Sequence, residues 1–422
     1  MDKEETELPP TARRTLFFLL AIYSINFVDR QILSVLIEPI KADLGLTDTE
    51  LGFLTGFAFA VFYATLGVPI GRLADRANRV SIISAAATIW SLMTAVSGLA
   101  QNFWQLGLAR VGVGIGEAGC TPPAHSMIAD LYPADKRAGA MAIYQLGIPI
   151  GSVAGLMLGG WVNEIWGWRI AFVVVGLPGL LLAVMLKLLV ADPERTVATH
   201  PEQDAGPTFR ESLTRLWQIR SYRHILTGVS LAALSGYGVG TWFPAFLMRT
   251  YDIGSGEAGS WLGPLALVGG VAGTLIGGFA TDRLGQRDQR WYVWFPGAAI
   301  LMGLPVFAWI CLTNEFAVVI GLLIFPNLFG AIHNGPSFAM VQSLSPVRMR
   351  SMASAIALLV INLIGLGLGP LVIGSLSEAL EPNFGNRSLS YAMLAVIPLN
   401  CWAAIHFFLA SRTLRAELGA NS

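Results

Sequence analysis

The chain has 422 residues, of which 54% are hydrophobic and only 13% charged, with a mean hydropathy of +0.60. An ordinary water-soluble domain carries about a quarter charged residues, so this composition excludes one and makes lipid the expected solvent. Lys plus Arg and Asp plus Glu both number 27, and a net charge of zero gives no global basicity for nucleic acid.

Twelve apolar runs, each long enough to cross a hydrocarbon core of about 30 Å, follow one another with short polar breaks. An acidic, proline-containing start at 4–10 and the pair Arg13 and Arg14 precede the first run, which is too long for a cleaved signal peptide and is expected to stay. The first-half spans fall at 16–36, 51–74, 80–100, 103–131, 139–162 and 170–190. In the polar break at 191–223, Phe209, Leu213, Leu216 and Trp217 alternate with Arg210, Arg215 and Arg220. It reads either as a linker with a cytoplasmic amphipathic helix or as a plain solvated connection. The second-half spans fall at 225–247, 258–280, 291–312, 316–341, 353–376 and 389–410. The expected architecture is all-α, with six-helix bundles at 1–190 and 224–422 joined by the linker at 191–223.

Lys and Arg outside the spans fall almost wholly on the side of the N-terminus, and the opposite loops hold only Lys41, Arg169, Arg249 and Arg387. The positive-inside rule therefore puts both termini in the cytoplasm. The short loops fit a bacterial inner membrane protein, and nothing in the sequence calls for more than a monomer. Cys120, Cys311 and Cys401 sit in apolar runs without a C-x-x-C spacing and read as packing residues. No P-loop and no metal-ligand spacing occurs, so neither cofactor, metal nor enzymatic chemistry is expected.

The halves repeat. A shift of 213 positions superposes Pro123 on Pro336, Pro133 on Pro346 and Arg137 on Arg350, and a shift of 214 aligns Gly155, Gly160 and Glu164 with Gly369, Gly374 and Glu378. Duplicated halves suit a transporter whose substrate site lies near the midplane. A second echo follows the second and eighth spans: Gly71, Asp75, Arg76 and Arg79 in one, Gly278, Asp282 and Arg283 in the other. Glycine allows close approach of helix ends, while the charges can form a breakable network at the cytoplasmic mouth. Alternatively they form a basic loop that only sets topology.

These residues resemble the GxLaDRxGR signature of the major facilitator superfamily, with Asn78 in place of the usual second glycine of the first copy and Gly285 keeping it in the second. Within that superfamily, 26–30 (Asn-Phe-Val-Asp-Arg), 116–119 (Gly-Glu-Ala-Gly) and 148–152 (Ile-Pro-Ile-Gly-Ser) look like the spinster family of lipid transporters. That resemblance implies proton-coupled movement of lysophospholipids or sphingosine-1-phosphate-like amphiphiles. An Asp-Arg pair in the first helix also occurs in organic-anion symporters of the superfamily, so a symporter of sugar acids is the alternative.

Charges at bilayer depth are costly and mark ion or substrate paths, which singles out Asp29, Arg30, Arg110 and Glu117. Asp29 lies roughly 20 Å along the first helix and Arg110 about 7 residues into a fourth helix running the other way, so their depths coincide. Glu117 follows Arg110 by two turns on nearly the same face. Asp29 and Glu117 are the expected proton carriers, with Arg110 or Arg30 as charge partner or headgroup ligand; a permanent salt bridge between the first and fourth helices is the competing reading. Tyr237, Trp242, His333, Asn334 and Asn362 are candidates for the substrate cavity of the second half, or equally packing groups. The literal G-x-G-x-x-G at Gly114, Gly116 and Gly119 lies in an apolar span and reads as helix packing, as do Gly147, Gly151, Gly155 and Gly159 on one face of the fifth helix.

Overall fold

Apolar runs punctuated by glycine, proline and capping side chains become helices throughout. The computed structural model describes residues 10–195, 209–346 and 349–419, and all regular structure among them is helical. The acidic start at 4–9 and the linker residues 196–208 lie outside the described residues.

The first half comprises α1 (Pro10–Val35), α2 (Ile37–Leu44), α3 (Asp48–Gly52), a π-helical turn at Phe53–Phe57, α4 (Ala58–Ala74), α5 (Arg79–Ser97), α6 (Phe103–Glu117), α7 (Thr121–Leu131), α8 (Ala134–Gln145), α9 (Gly147–Trp166) and α10 (Trp168–Leu189). Next come α11 (Phe209–Gln218), α12 (Arg220–Tyr251), α13 (Ser255–Gly285), α14 (Trp291–Leu312), α15 (Phe316–Leu322), α16 (Ile324–Ala331), α17 (Asn334–Ser343) and α18 (Arg350–Ile361). A second π-helical stretch at Asn362–Leu368 leads into α19 (Gly369–Phe384), α20 (Ser388–Leu394), α21 (Val396–Ala410) and α22 (Leu414–Gly419).

Helix starts follow the local chemistry. Thr47 and Glu50 form a reciprocal capping box at α3, satisfying two backbone N–H groups that the first turn leaves open. Asn78 caps α5, its side-chain oxygen accepting from the Ser81 amide at 2.8 Å, so the residue that departs from the family signature has a local task. Among the described residues, 10 helical stretches are long and apolar enough to cross a membrane. One of them, Met352–Ala410, runs for 59 residues, about 90 Å of helix and too long for a single crossing. The expected fourth span is divided between α6 and α7 at residues 118–120. Large apolar side chains remain exposed on these helices, Leu188 at 76% and Phe279 at 73% among them, as lipid-facing surface requires.

The chain forms two compact units. Unit 1 takes Met1–Leu46, Ala58–Thr199 and Ile253–Gly263; unit 2 takes Thr47–Phe57, His200–Asp252 and Pro264–Ser422. In unit 1, α9 lies on α1 through its glycine face. A Cβ on Gly155 would stand 2.8 Å from the Val28 carbonyl oxygen, and Gly147, Gly151 and Gly159 meet Tyr23, Ser24 and Ile32 in rising order. The two helices therefore run parallel, at a backbone separation only glycine permits. In unit 2, Tyr222, Ile225, Ile300, Met340 and Phe407 form a buried core, which Leu216 of α11 enters while Phe209 and Trp217 stay exposed.

The aligned residues of the repeat do the same work. Gly155 abuts Val28 of α1, and its counterpart Gly369 abuts Leu234 and Gly238 of α12. Gly160 faces the Ser255 backbone within unit 1, and its counterpart Gly374 faces the Asp48 backbone within unit 2. Glu164 accepts from the Gly256 amide at 2.8 Å, and Glu378 from the Thr49 amide at 3.0 Å.

Candidate functional site

The four charges singled out in the sequence all lie in unit 1, on α1 and α6. Asp29, Arg110 and Glu117 are buried at 0%, 2% and 1% exposure. Arg30 Nε donates to Glu117 Oε2 at 2.5 Å, so α1 and α6 are joined by an ion pair. The guanidinium of Arg30 also lies over the rings of Phe27, Phe59 and Tyr63, at 4.9, 5.1 and 4.4 Å from their centroids. Those π faces offset part of the lost hydration. Asp29 does not pair with Arg110, contrary to what their matching depths suggested. Its Oδ2 accepts from Thr94 Oγ1 of α5 at 3.2 Å, and Oδ1 has no partner among the described residues. Depth along two helices fixes one coordinate only, and the rotation of each helix aims these side chains elsewhere.

Arg110 is the unspent group. Its guanidinium carbon lies 5.6 Å from the centroid of Phe59, and neither Nε nor Nη1 meets an acceptor among the described residues. Glu117 Oε1 and Asn26 Nδ2 are likewise unpaired. Buried groups of this kind cost free energy unless something else satisfies them. The arrangement thus offers two carboxylate oxygens able to take a proton and two guanidinium donors able to take an anion. Thr94 and the aromatic surround of Arg30 escaped the sequence reading. The spacing of Phe27 to Arg30 and of Phe59 to Tyr63 along their helices was an available signal for the latter, whereas a lone threonine in an apolar run gives none.

Of the two gate motifs, the first holds its charge network through Arg79. Arg79 is 1% exposed and donates from Nε to Asp192 Oδ1 at 2.8 Å, from Nη2 to the Pro193 carbonyl at 2.6 Å and from Nη1 to Ser126 and Asp130. Gly71 is partly exposed, and Asp75 and Arg76 are exposed with no side-chain partner among the described residues. In the second motif Asp282 accepts from the Tyr292 hydroxyl at 2.7 Å, while Gly278 and Arg283 make no such bond among the described residues. The carboxylates of Asp130 and Asp192 lie outside the motif, and nothing in its pattern pointed to them.

In unit 2, His333 is buried with no partner for Nδ1 among the described residues, Asn334 is exposed, and Asn362 opens the π-helical stretch. Tyr237 is 42% exposed. Trp242 is 0% exposed and its indole N–H donates to the Pro370 carbonyl at 2.8 Å, which leaves no ring face for a ligand. A buried carboxylate that the sequence reading passed over is Asp48. Arg249 holds both its oxygens at 2.7 Å, and Ser377 adds a third bond at 2.7 Å, a satisfied set with nothing left to exchange. The glycine-rich run of α6 is packing: Cβ atoms on Gly114 and Gly116 would stand 2.6 Å from the Phe59 carbonyl oxygen and the Trp90 amide nitrogen.

A family model described as Major Facilitator Superfamily matches residues 19–370, and the chain belongs to that family of membrane transporters. It is 34% identical to an MFS-type efflux pump of Mycolicibacterium smegmatis, over 99% of this chain and 96% of that one. A hexuronate transporter of Bacillus subtilis is 25% identical over 68% of each chain. The solved inward-facing, unoccupied structure of a bacterial homologue of the human lysosomal transporter spinster is 31% identical and superposes with a TM-score of 0.89, covering 97% of this chain and 99% of that one.

Proposed function

We propose that this member of the major facilitator superfamily moves lysophospholipid or sphingosine-1-phosphate-like amphiphiles across the membrane by alternating access, coupled to protons. The observation that carries the proposal is the buried set Asp29, Arg30, Arg110 and Glu117, in which Asp29 Oδ1, Glu117 Oε1 and two nitrogens of Arg110 lack partners among the described residues. Near-full-length likeness to a bacterial spinster homologue supports the substrate class, and the likeness to an efflux pump supports outward movement.

An anionic headgroup accepts from Arg110 Nε and Nη1, the two donors left open. Its negative charge then offsets the Arg110 cation, which otherwise favours the charged forms of Glu117 and Asp29 without bonding to them. A carboxylate that loses this support takes a proton at its free oxygen, Oε1 of Glu117 or Oδ1 of Asp29. Release of the headgroup restores that electrostatic support to the carboxylate and expels the proton. Arg30 stays against Glu117 Oε2 and its aromatic neighbours through the cycle, holding α1 on α6.

A symporter of small sugar acids is the second reading, favoured by the hexuronate relative. Proteoliposome uptake of a labelled lysolipid and, separately, a labelled hexuronate, with and without an imposed pH gradient, distinguishes the two. Gradient-dependent lysolipid movement that Glu117→Gln abolishes is the expected result. Hexuronate movement alone would replace the substrate class, and gradient-driven transport intact in Glu117→Gln and Asp29→Asn would remove the coupling mechanism.

A further inference from the structure

We propose that His224 and His406 form a proton-operated clasp in unit 2, closed while the two rings share one proton and open when both are charged. Nδ1 of His224, in the second turn of α12, lies 2.9 Å from Nδ1 of His406, near the end of α21. The ring centroids are 5.0 Å apart, and both residues are half-buried. Such a contact needs one Nδ1 with a hydrogen and one without. It therefore holds with both imidazoles neutral or with one of them charged. With both charged, each Nδ1 carries a hydrogen, no acceptor is left, and two like charges face each other at hydrogen-bond distance.

The pair closes a seam that neighbouring groups also hold. Glu417 of α22 accepts from the Arg220 and Ser221 amides, both at 2.9 Å, in the first turn of α12, where amides lack intrahelical partners. The Ser221 hydroxyl bonds the Ala410 carbonyl at 3.1 Å and Thr413 Oγ1 at 2.8 Å. Residues 220–224 are thus tied to residues 406–417, and Ile219 alone separates α12 from the linker helix α11. Among the described residues, the charged groups acting on the two rings are Arg223 of α12 and Glu417 of α22. Tyr222 is spent on the Ala353 carbonyl of α18 at 3.1 Å, and Arg415 of α22 on Asp288 at 2.6 Å. The Trp402 ring lies 6.0 Å from that of His406, a π face on which a charged imidazole can rest once the clasp opens. Of the side chains that tie this seam, only imidazole ordinarily changes its charge near neutral pH. Acidification therefore loosens the junction where the linker enters the second half of the chain.

The test is amide hydrogen exchange of the full-length protein in nanodiscs, corrected for the intrinsic effect of pH. It runs from pH about 8 to about 5, a window that spans the ordinary imidazole value of about 6.5 and stays above that of a carboxylate. Protection of residues 220–228 is expected to fall roughly tenfold on acidification, the worth of about one hydrogen bond, while α9 in unit 1 keeps its protection. Two variants show whether the histidine pair is the cause. His406→Gln offers His224 both an acceptor and a donor, so the seam should stay closed across the window. His406→Lys carries a fixed charge and only donors, so protection should still fall as His224 takes its proton. Wild-type protection that does not change with pH would overturn the proposal, as would the same fall in His406→Gln as in wild type. A fall shared equally by α9 would overturn it too, since that is loss of the fold and not opening of the seam. None of these readings requires transport, so the outcome is independent of the substrate proposed above.

Discussion

Arg30 and Glu117 meet at 2.5 Å across two helices, while Arg110, on the same helix as Glu117, keeps Nε and Nη1 unpaired. Of two arginines beside one carboxylate, the one cradled by three aromatic rings is tied and the one facing Phe59 alone is left available. That asymmetry divides the labour: one cation holds helices together, the other can change partners.

Breaking the pair from one side strands a buried charge. Glu117→Gln and Arg30→Met should each destabilise the protein by about 3 kcal/mol, and the double variant by clearly less than the sum, leaving a coupling of about 1–3 kcal/mol. Denaturant unfolding of the detergent-purified protein measures all three. Additive losses would mean that the two groups are held independently.

The glycine face of α9 sets how closely α1 approaches, and α1 carries Asp29 and Arg30. Gly155→Ala puts a methyl group 2.8 Å from the Val28 carbonyl oxygen, where neither backbone can yield without moving. The expected cost is about 1–3 kcal/mol, together with a fall in transport rate as the charged residues shift. Gly270→Ala is the control, since a Cβ there meets nothing within 4 Å, and it should stabilise by up to about 1 kcal/mol. Equal thermal shifts for the two variants would show that close contact between α1 and α9 is not what the glycine serves.

The helical fold and the repeat were legible because lipid imposes one solution on any long apolar run and duplication leaves aligned glycines and carboxylates. Gly155 with Gly369 and Glu164 with Glu378 were visible as letters before they were visible as contacts. The buried charges were legible for the same reason, each being expensive where it stands. Their pairing was not. Sequence gives depth and helix face relative to the helix itself, but which neighbour a face meets depends on rotation, so Asp29 goes to Thr94 and Glu117 to Arg30. Asp48 falls in the break between the first two expected spans and is 1% exposed, because the segment Thr47–Phe57 packs with helices from the other half of the sequence.

Asn78 stands where the family signature has glycine, and it caps α5 through Ser81. Restoring the glycine removes the side-chain acceptor but keeps a backbone that suits the position, so Asn78→Gly should cost only a few tenths of a kcal/mol. Asn78→Ala should cost about 1 kcal/mol, because alanine supplies neither advantage. Melting temperatures of the two variants decide it. A glycine variant less stable than the alanine variant would show that the cap is not the reason for the departure.

Glu164 and Glu378 form the sharpest test of the repeat as a working device. Each carboxylate accepts from a backbone amide in the first turn of a helix, Gly256 of α13 and Thr49 of α3, where amides lack intrahelical partners and the helix dipole favours negative charge. Removing the acceptor should therefore cost about 1 kcal/mol at either position, and replacing it by a neutral one about half that. The expectation is that Glu164→Ala and Glu378→Ala lower the melting temperature alike and alter the initial transport rate in the same direction, with the glutamine variants intermediate. Rates that move in opposite directions, or respond at one position only, would mean that the aligned carboxylates share an ancestry and a geometry without sharing a role.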